Sequence, residues 1–272
     1  MIKNIMSVDL EDHFCDLPFS DWQNYESRIV STTKLILDLF EKYKTRATFF
    51  TLGYVAEKHP ELIEKIKSSG HEIASHSYSH KNIQKMTKES FEEDLIRSIQ
   101  ILQKISGEKI LGFRAPWFSI KQNTFWIFDV LKKYLRYDSS IYPVGPHYGF
   151  ANAPRHIYKM SDSDPLKVDD QGKFIEIPMA TLKLSGVGNF PIAGGIYLRF
   201  LPIQLIEFGI MKLNKTGIST MCYIHPQDLD PTRPHLDGIS WHNYWGLKTA
   251  HKKIEHLLKN FSFSSARDVI NL

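Results

Sequence analysis

Residues 5–14 read IMSVDLEDHF, and Asp9, Glu11 and Asp12 crowd three carboxylates into four positions at the end of an apolar run. Like charges this close are costly unless something positive sits among them. A second grouping, HSYSH at 76–80, spaces His76 and His80 four residues apart. In a helical turn that spacing puts both rings on one face, close enough to share a cation. Two imidazoles and one carboxylate form a catalytic metal set that leaves positions open for water and substrate. A bare HxxxH is weak evidence, and exposed or capping histidines are its ordinary reading. The acidic cluster supplies the missing ligand. Alternation along a strand puts Glu11 on the same side as Asp9. If the strand ends at Leu10, a turn brings Asp12 inward instead, so Glu11 and Asp12 both stand as candidate ligands. Arg114 is the cation best placed to partner an acid, with a plain structural ion pair as the alternative.

Positioning these residues requires strands that end together. Apolar segments at 4–10, 46–52, 71–76, 109–116, 136–143, 174–182 and 219–225 read as strands. Helical spacing covers 31–43, 54–68, 88–105, 123–134, 202–214 and about 246–259. Alternating strand and helix imply parallel strands, in an open sheet or a barrel. The C-terminal ends of parallel strands converge on one face. Asp9, Glu11 and Asp12 follow the first strand, His76 and His80 the third, Arg114 and Trp117 the fourth. Asp138 lies on the fifth and His225 ends the last. One polar residue at a strand end means little, but five strands doing so argue for a site. Residues 143–173, with Pro143, Pro146, Pro154 and Pro165, form a long irregular stretch of the kind that carries function.

Composition bounds the rest. The chain has 272 residues, 42% hydrophobic and 24% charged, as in a globular protein, and this length suits one α/β barrel domain. A net charge of +4 comes from scattered lysines, which argues against nucleic acid. No run reaches the roughly 18–20 apolar residues of a membrane span, and the N-terminus turns acidic too early for a secretory signal, so a cytoplasmic location is expected. The two cysteines, Cys15 and Cys222, are expected to be free and packed.

The chain resembles the polysaccharide deacetylases of the NodB-homology type, carbohydrate esterase family 4. The resemblance rests on SVDLED (7–12), residues 48–80 ending in HSYSH, GFRAPWFSI (112–120), YDSSIYP (137–143) and CYIHPQD (222–228), in the family's order. Segments 148–158, 176–186, 193–202 and 242–270 are similar to the C-terminal extension of a cytoplasmic branch linked to exopolysaccharide synthesis. The resemblance implies a distorted (β/α) barrel of about seven parallel strands in a single domain. Residues 1–142 and 215–230 would be the catalytic core, and 143–214 and 231–272 family-specific extension segments.

It also implies an activity: metal-dependent removal of an acetyl group from an N-acetylated glycan, with partners in a polysaccharide-synthesis pathway. His76 and His80 match the metal-binding histidines, and Asp9 the general base. Arg114 matches the arginine that orients the base, and His225 the histidine that protonates the leaving amine. Pro116 and Trp117 match the pocket wall, and Asp138 is expected to support the site from behind. One divalent cation is implied, Zn²⁺ first, with Co²⁺, Ni²⁺, Fe²⁺ and Mn²⁺ as alternatives. Trp241 and Trp245 offer further flat faces that suit sugar rings, although a single Trp is more often packed. D-x-E-D departs from the family's commoner adjacent aspartates, and Ala193-Gly194-Gly195 stands where three glycines are expected. The alternatives are hydrolysis of another amide on the same scaffold, or a catalytically silent glycan-binding protein.

Overall fold

A computed structural model describes residues 2–145, 148–192 and 194–272. Pro146, His147 and Ala193, each noted in the sequence, lie outside the described residues. In the first half, β1 (Asn4–Leu10), β2 (Thr48–Thr51), β3 (Glu72–Ser75), β4 (Gly112–Phe113) and β5 (Tyr137–Asp138) follow one another through helices. The helices are α1 (Ile29–Lys42), the pair α2 (Gly53–Lys58) and α3 (Pro60–Ser68), α4 (Lys88–Ser106) and α5 (Trp126–Tyr134). Then come β6 (Tyr158–Lys159), β7 (Ile175–Glu176) and a hairpin of β8 (Thr181–Leu184) and β9 (Gly188–Pro191). The chain continues with α6 (Gly195–Phe200), α7 (Ile203–Lys215), β10 (Met221–Ile224), α8 (Leu247–Asn260), β11 (Phe263–Ser264) and α9 (Ala266–Ile270).

The main sheet runs β10-β1-β2-β3-β4-β5-β7-β6, with β11 also on β1. The pairings from β10 across to β7 are parallel, and β6 joins β7 antiparallel at the edge. The expected parallel α/β sheet is therefore present, curled into a half-barrel. All of β1 is buried, as a central strand covered on both faces must be. Met6, Val8 and Leu10 pack with Phe49, Ile73 and Phe113 in the core that also takes Ile36, Ile63 and Leu95 of the helices. Ile5 packs on the other face with Phe50, Ala74, Tyr137 and Tyr223. Alternation then turns Ser7 and Asp9 toward that inner side as well.

Short elements and breaks are where expectation and structure part. The single helix expected over 54–68 is two, because Pro60 lacks an N–H and forces His59 out of helical conformation (φ −134°, ψ 61°). The irregular 143–173 stretch holds β6, and 174–182 divides into β7 and the start of β8. The strand β11 and helix α9 near the C-terminus are too short to show a period.

One buried histidine of this scaffold carries a stability prediction. His71 lies between the rings of Phe40 and Phe49, and its Nδ1 accepts the Ala47 N–H at 3.2 Å. Burial, helped by Arg46, pushes it down from 6.5 to about 4. The unfolded chain takes up this proton below pH 6.5 and the folded chain only below about 4. Stability is therefore full above pH 6.5 and falls as pH drops toward 4, by about 3 kcal/mol from this residue alone. His71→Asn keeps an acceptor for Ala47 and cannot titrate. Its urea midpoint should change less than that of the wild type between pH 7 and pH 4.

Candidate active site

Strand register brings the polar residues to one mouth. Ser75 pairs with Phe113 and Phe113 with Asp138, so His76, Arg114 and Ser139 stand next to one another beyond the strand ends. Val8 pairs with Ile224, which sets Asp9 beside His225.

Glu11, His76 and His80 are buried, and one ligand atom from each lies within 4.8 Å of the others. Glu11 Oε2 is 2.7 Å from His80 Nε2 and 3.8 Å from His76 Nε2. The far nitrogen of each ring faces a carbonyl, His76 Nδ1 that of Arg114 at 2.8 Å and His80 Nδ1 that of Cys15 at 3.0 Å. A carbonyl only accepts, so each Nδ1 carries its proton and each Nε2 is the atom turned to Glu11. Burial would raise the Glu11 carboxyl, but His80, His225 and His76 around it hold it down to about 2. Burial pushes His76 down to about 4, leaving it a neutral donor. Burial also acts to lower His80, and contact with Glu11 raises it instead. An ionised carboxylate and two imidazoles whose tautomers are fixed from behind fit a divalent cation of borderline softness.

The two histidines do not meet through a helical turn, as their spacing suggests. Ser77 and His80 take left-handed backbone, at φ 68° and 51°, and the ring centroids are 5.3 Å apart. Such strain needs anchoring. Asp94 of α4 provides it, accepting the Tyr78 N–H at 2.7 Å and the Ser79 hydroxyl at 2.6 Å.

Asp12 is turned elsewhere. Its carboxylate accepts the His13 N–H, the Ser27 hydroxyl and the Arg28 N–H at the start of α1, and His13 Nδ1 lies 2.8 Å away. It serves the helix N-terminus, where negative charge is favoured. The structure thus brings Glu11, and not Asp12, to the histidines. Glu11→Gln should weaken Co²⁺ or Zn²⁺ binding beyond the roughly 10–100-fold that loss of a supporting hydrogen bond costs. Asp12→Asn should leave affinity within a few-fold and lower stability by about 1–2 kcal/mol. Cobalt absorbance and calorimetric Zn²⁺ titration read the first effect, and urea unfolding the second.

Opposite these candidate ligands stand an acid and an imidazole, each held by a buried partner. Arg114 is fully buried and its Nη1 donates to Asp9 Oδ1 at 2.5 Å and to Ser7 Oγ at 2.9 Å. Its Nε and Nη2 donate to the carbonyl and hydroxyl of Ser139, and Phe50 lies under its plane at 4.1 Å. This fork fixes one Asp9 oxygen and leaves Oδ2 facing His225 Nε2 at 3.9 Å. His225 Nδ1 lies 3.2 Å from Asp228 Oδ2, which also accepts the His225 backbone N–H. Burial would lower His225, but Asp228 first, with Glu11 and Asp9, raises it to about 9. Asp228 is paired in turn with Arg199 at 3.1 Å.

Trp117 joins the cleft. It is 42% exposed, its ring lies 4.2 Å from that of His80, and its Nε1 donates to Asp16. Pro116 does not line the cleft. It is buried as the first residue of a short 3₁₀ turn, and Phe118 supplies the wall there. Asp138 is buried behind, bonded to Ser140, whose hydroxyl accepts the Ala115 N–H, and it contacts neither Arg114 nor His225 directly. Sequence reading assigned no role to Asp16, Arg199, Tyr223, Arg233 or Asp228, which also line the cleft. Only Asp228 left a local signal, an acid three residues after a strand-end histidine. Both cysteines are free and buried.

Residues 17–134 match the polysaccharide deacetylase family, and residues 139–271 match a domain of unknown function, DUF3473. A peptidoglycan-N-acetylglucosamine deacetylase of Bacillus cereus is 35% identical over 91 residues, 34% of this chain and 33% of that protein. A peptidoglycan deacetylase of Helicobacter pylori is 34% identical over 106 residues, 39% of this chain and 36% of that protein. The chain therefore aligns with about a third of each of these curated relatives. A crystal structure of a candidate polysaccharide deacetylase from Mycobacterium smegmatis superposes with a TM-score of 0.64 at 20% identity, covering 99% of this chain and 90% of that one. A CE4-family pseudoenzyme from Bacillus anthracis gives 0.52 at 11% identity, covering 98% and 66%. Likeness at this level shows the fold, and the pseudoenzyme shows that the fold alone does not carry turnover. The two matched segments share one sheet and one cleft, since β1, which precedes the first, pairs with β2 on one side and β10 on the other, and His225 and Arg199 of the second line the cleft with His76 and His80 of the first. The chain is thus similar to the polysaccharide deacetylases over 17–134 and to DUF3473 over 139–271, on a fold shared with the CE4-family structure it superposes on.

Proposed function

We propose that the protein hydrolyses the acetamide of an N-acetylated sugar within a polysaccharide or its lipid-linked or smaller precursor, with a divalent cation, Zn²⁺ first, at Glu11, His76 and His80. The observation that carries this reading is the opposition, in one cleft, of those ligands to an arginine-held Asp9 and an aspartate-held His225. The similarity of segments 148–158, 176–186, 193–202 and 242–270 to the exopolysaccharide branch supports a glycan substrate over another amide.

The cation supplies Lewis acidity toward the acetyl carbonyl and toward water. The chain's own residues do the rest. Arg114 occupies Asp9 Oδ1 and keeps the carboxylate aimed, so Oδ2 is the atom that accepts a proton from the attacking water. The water oxygen bonds to the acetyl carbon and the carbon–nitrogen bond breaks. His225, kept protonated beside Asp228, delivers its proton from Nε2 to the departing nitrogen, and acetate and the free amine leave. Trp117 and Tyr223 line the cleft.

Zn²⁺- or Co²⁺-loaded protein should release acetate from N-acetylated oligosaccharides. Bound cation with no acetate from any N-acetyl sugar would reject the reading.

A further inference from the structure

The reaction cleft is small. Its volume of about 220 Å³ falls below the roughly 300–1,000 Å³ of pockets that enclose a drug-sized ligand. A glycan chain reacting there must run out over the surface on at least one side. Next to the cleft lies a surface feature with no structural use. Trp241 is 68% exposed, Trp245 57% and Phe200 41%. Their ring centroids are 5.8–6.4 Å apart, so they form one patch. A single exposed aromatic residue is ordinary, but three clustered rings with open faces mark a binding surface.

The patch is tied to the cleft. His242 and Asn243, between the two tryptophans, line it together with Glu11 and His225. The Arg199 guanidinium donates to the carbonyls of Asn243 and Trp245, and Arg233 donates to that of Asn243. Gly246 closes the loop in left-handed backbone (φ 75°), where a Cβ would come within 2.8 Å of the Arg199 carbonyl. Arg199 also pairs with Asp228, the partner of His225. The rings and the proton-donating histidine therefore share one frame. A lipid surface would also accept three exposed rings, but it gives no reason for them to be bolted to the cleft wall.

Building on the proposed deacetylation, we propose that Phe200, Trp241 and Trp245 form a stacking platform for sugar residues flanking the reacting one, so that the protein prefers glycan chains of several units to short ones. Aromatic faces cover the apolar C–H faces of pyranose rings without demanding particular hydroxyls, which suits neighbouring residues of a repeating chain.

The test compares β-1,4-linked N-acetylglucosamine dimer and hexamer on the Zn²⁺-loaded full chain. In the wild type, kcat/KM for acetate release should be about tenfold or more higher for the hexamer. In Trp241→Ala/Trp245→Ala that ratio should fall to near one, and Phe200→Ala should lower it in part. An active wild type whose ratio is unchanged in the double variant overturns the platform. No acetate from either substrate counts against deacetylation of this glycan and not against the platform, and hexamer calorimetry on the metal-free chain then decides the platform. About tenfold weaker binding in the double variant supports it, while equal binding, or none in the wild type, overturns it. Loss of co-sedimentation with phosphatidylglycerol vesicles in the double variant, with hexamer binding unchanged, also overturns it, in favour of a lipid surface.

Discussion

Asp9→Asn should lower acetate release by about 10³-fold, within the range that a general base contributes, while leaving cobalt binding intact. The asparagine oxygen can still accept from Arg114 Nη1, so the bond that orients the side chain survives. What disappears is the negative charge, and with it a group able to take a proton from water. The same change has a second effect that separates it from a mere loss of shape. Arg114 is fully buried, and Asp9 is the carboxylate its guanidinium contacts. Its other acceptors, Ser7 Oγ and the carbonyl and hydroxyl of Ser139, are neutral. Removing one member of a buried ion pair leaves the other uncompensated, at a cost of about 3–5 kcal/mol. The variant should therefore unfold at lower urea than the wild type as well as turn over slowly. Assays belong below its unfolding midpoint, with the cobalt spectrum as the check that the ligands still stand. A variant that keeps the spectrum and more than about a tenth of the activity would remove Asp9 from the role of base.

That the acids and histidines would meet was legible because their positions follow from chain geometry. Parallel strands joined through helices must end on one side, so a carboxylate after β1, a histidine after β3, an arginine after β4 and a histidine after β10 have nowhere else to converge. Alternation also orders Ser7 and Asp9, two residues apart on one face of β1. The choice between Glu11 and Asp12 was not legible, because it turns on where the chain leaves β1. The Asp9 carbonyl accepts the Glu11 N–H at 3.0 Å, and the tight bend carries Asp12 over to the start of α1. No pattern in DLED records that Ser27 and Arg28, fifteen and sixteen residues on, will claim its carboxylate. The mutual reach of His76 and His80 was legible from spacing, but its cause was not, since the left-handed turn depends on Asp94 of α4. Arg199 and the 241–245 loop were the least accessible. Their contacts join segments more than forty residues apart, and the elements between are too short or irregular to predict a path.

His225→Ala should separate two substrates that Asp9→Asn does not. An acetamide expels an amine, which leaves only once protonated, so under the proposed function its hydrolysis should depend on the proton held at His225 Nε2. An activated ester such as 4-nitrophenyl acetate expels a stable phenolate and needs no such proton. The alanine variant should lose about 10²–10⁴-fold on the N-acetyl sugar and within about tenfold on the ester. Asp9→Asn should lose heavily on both, because both require water to be deprotonated. Asp228→Asn gives the intermediate case. It removes the charge that raises His225 while its amide oxygen can still accept from Nδ1, and it strands Arg199, which faces Asp228 at 3.1 Å. The neutral imidazole that results donates poorly at pH 7. Its amide activity should fall toward that of His225→Ala while ester activity persists, and lowering the pH should restore part of the amide rate as His225 is protonated again. The same restoration cannot occur in His225→Ala, whose amide rate should stay low across that range. Equal losses on amide and ester in both variants would mean that His225 shapes the cleft or the ligands and does not deliver the proton.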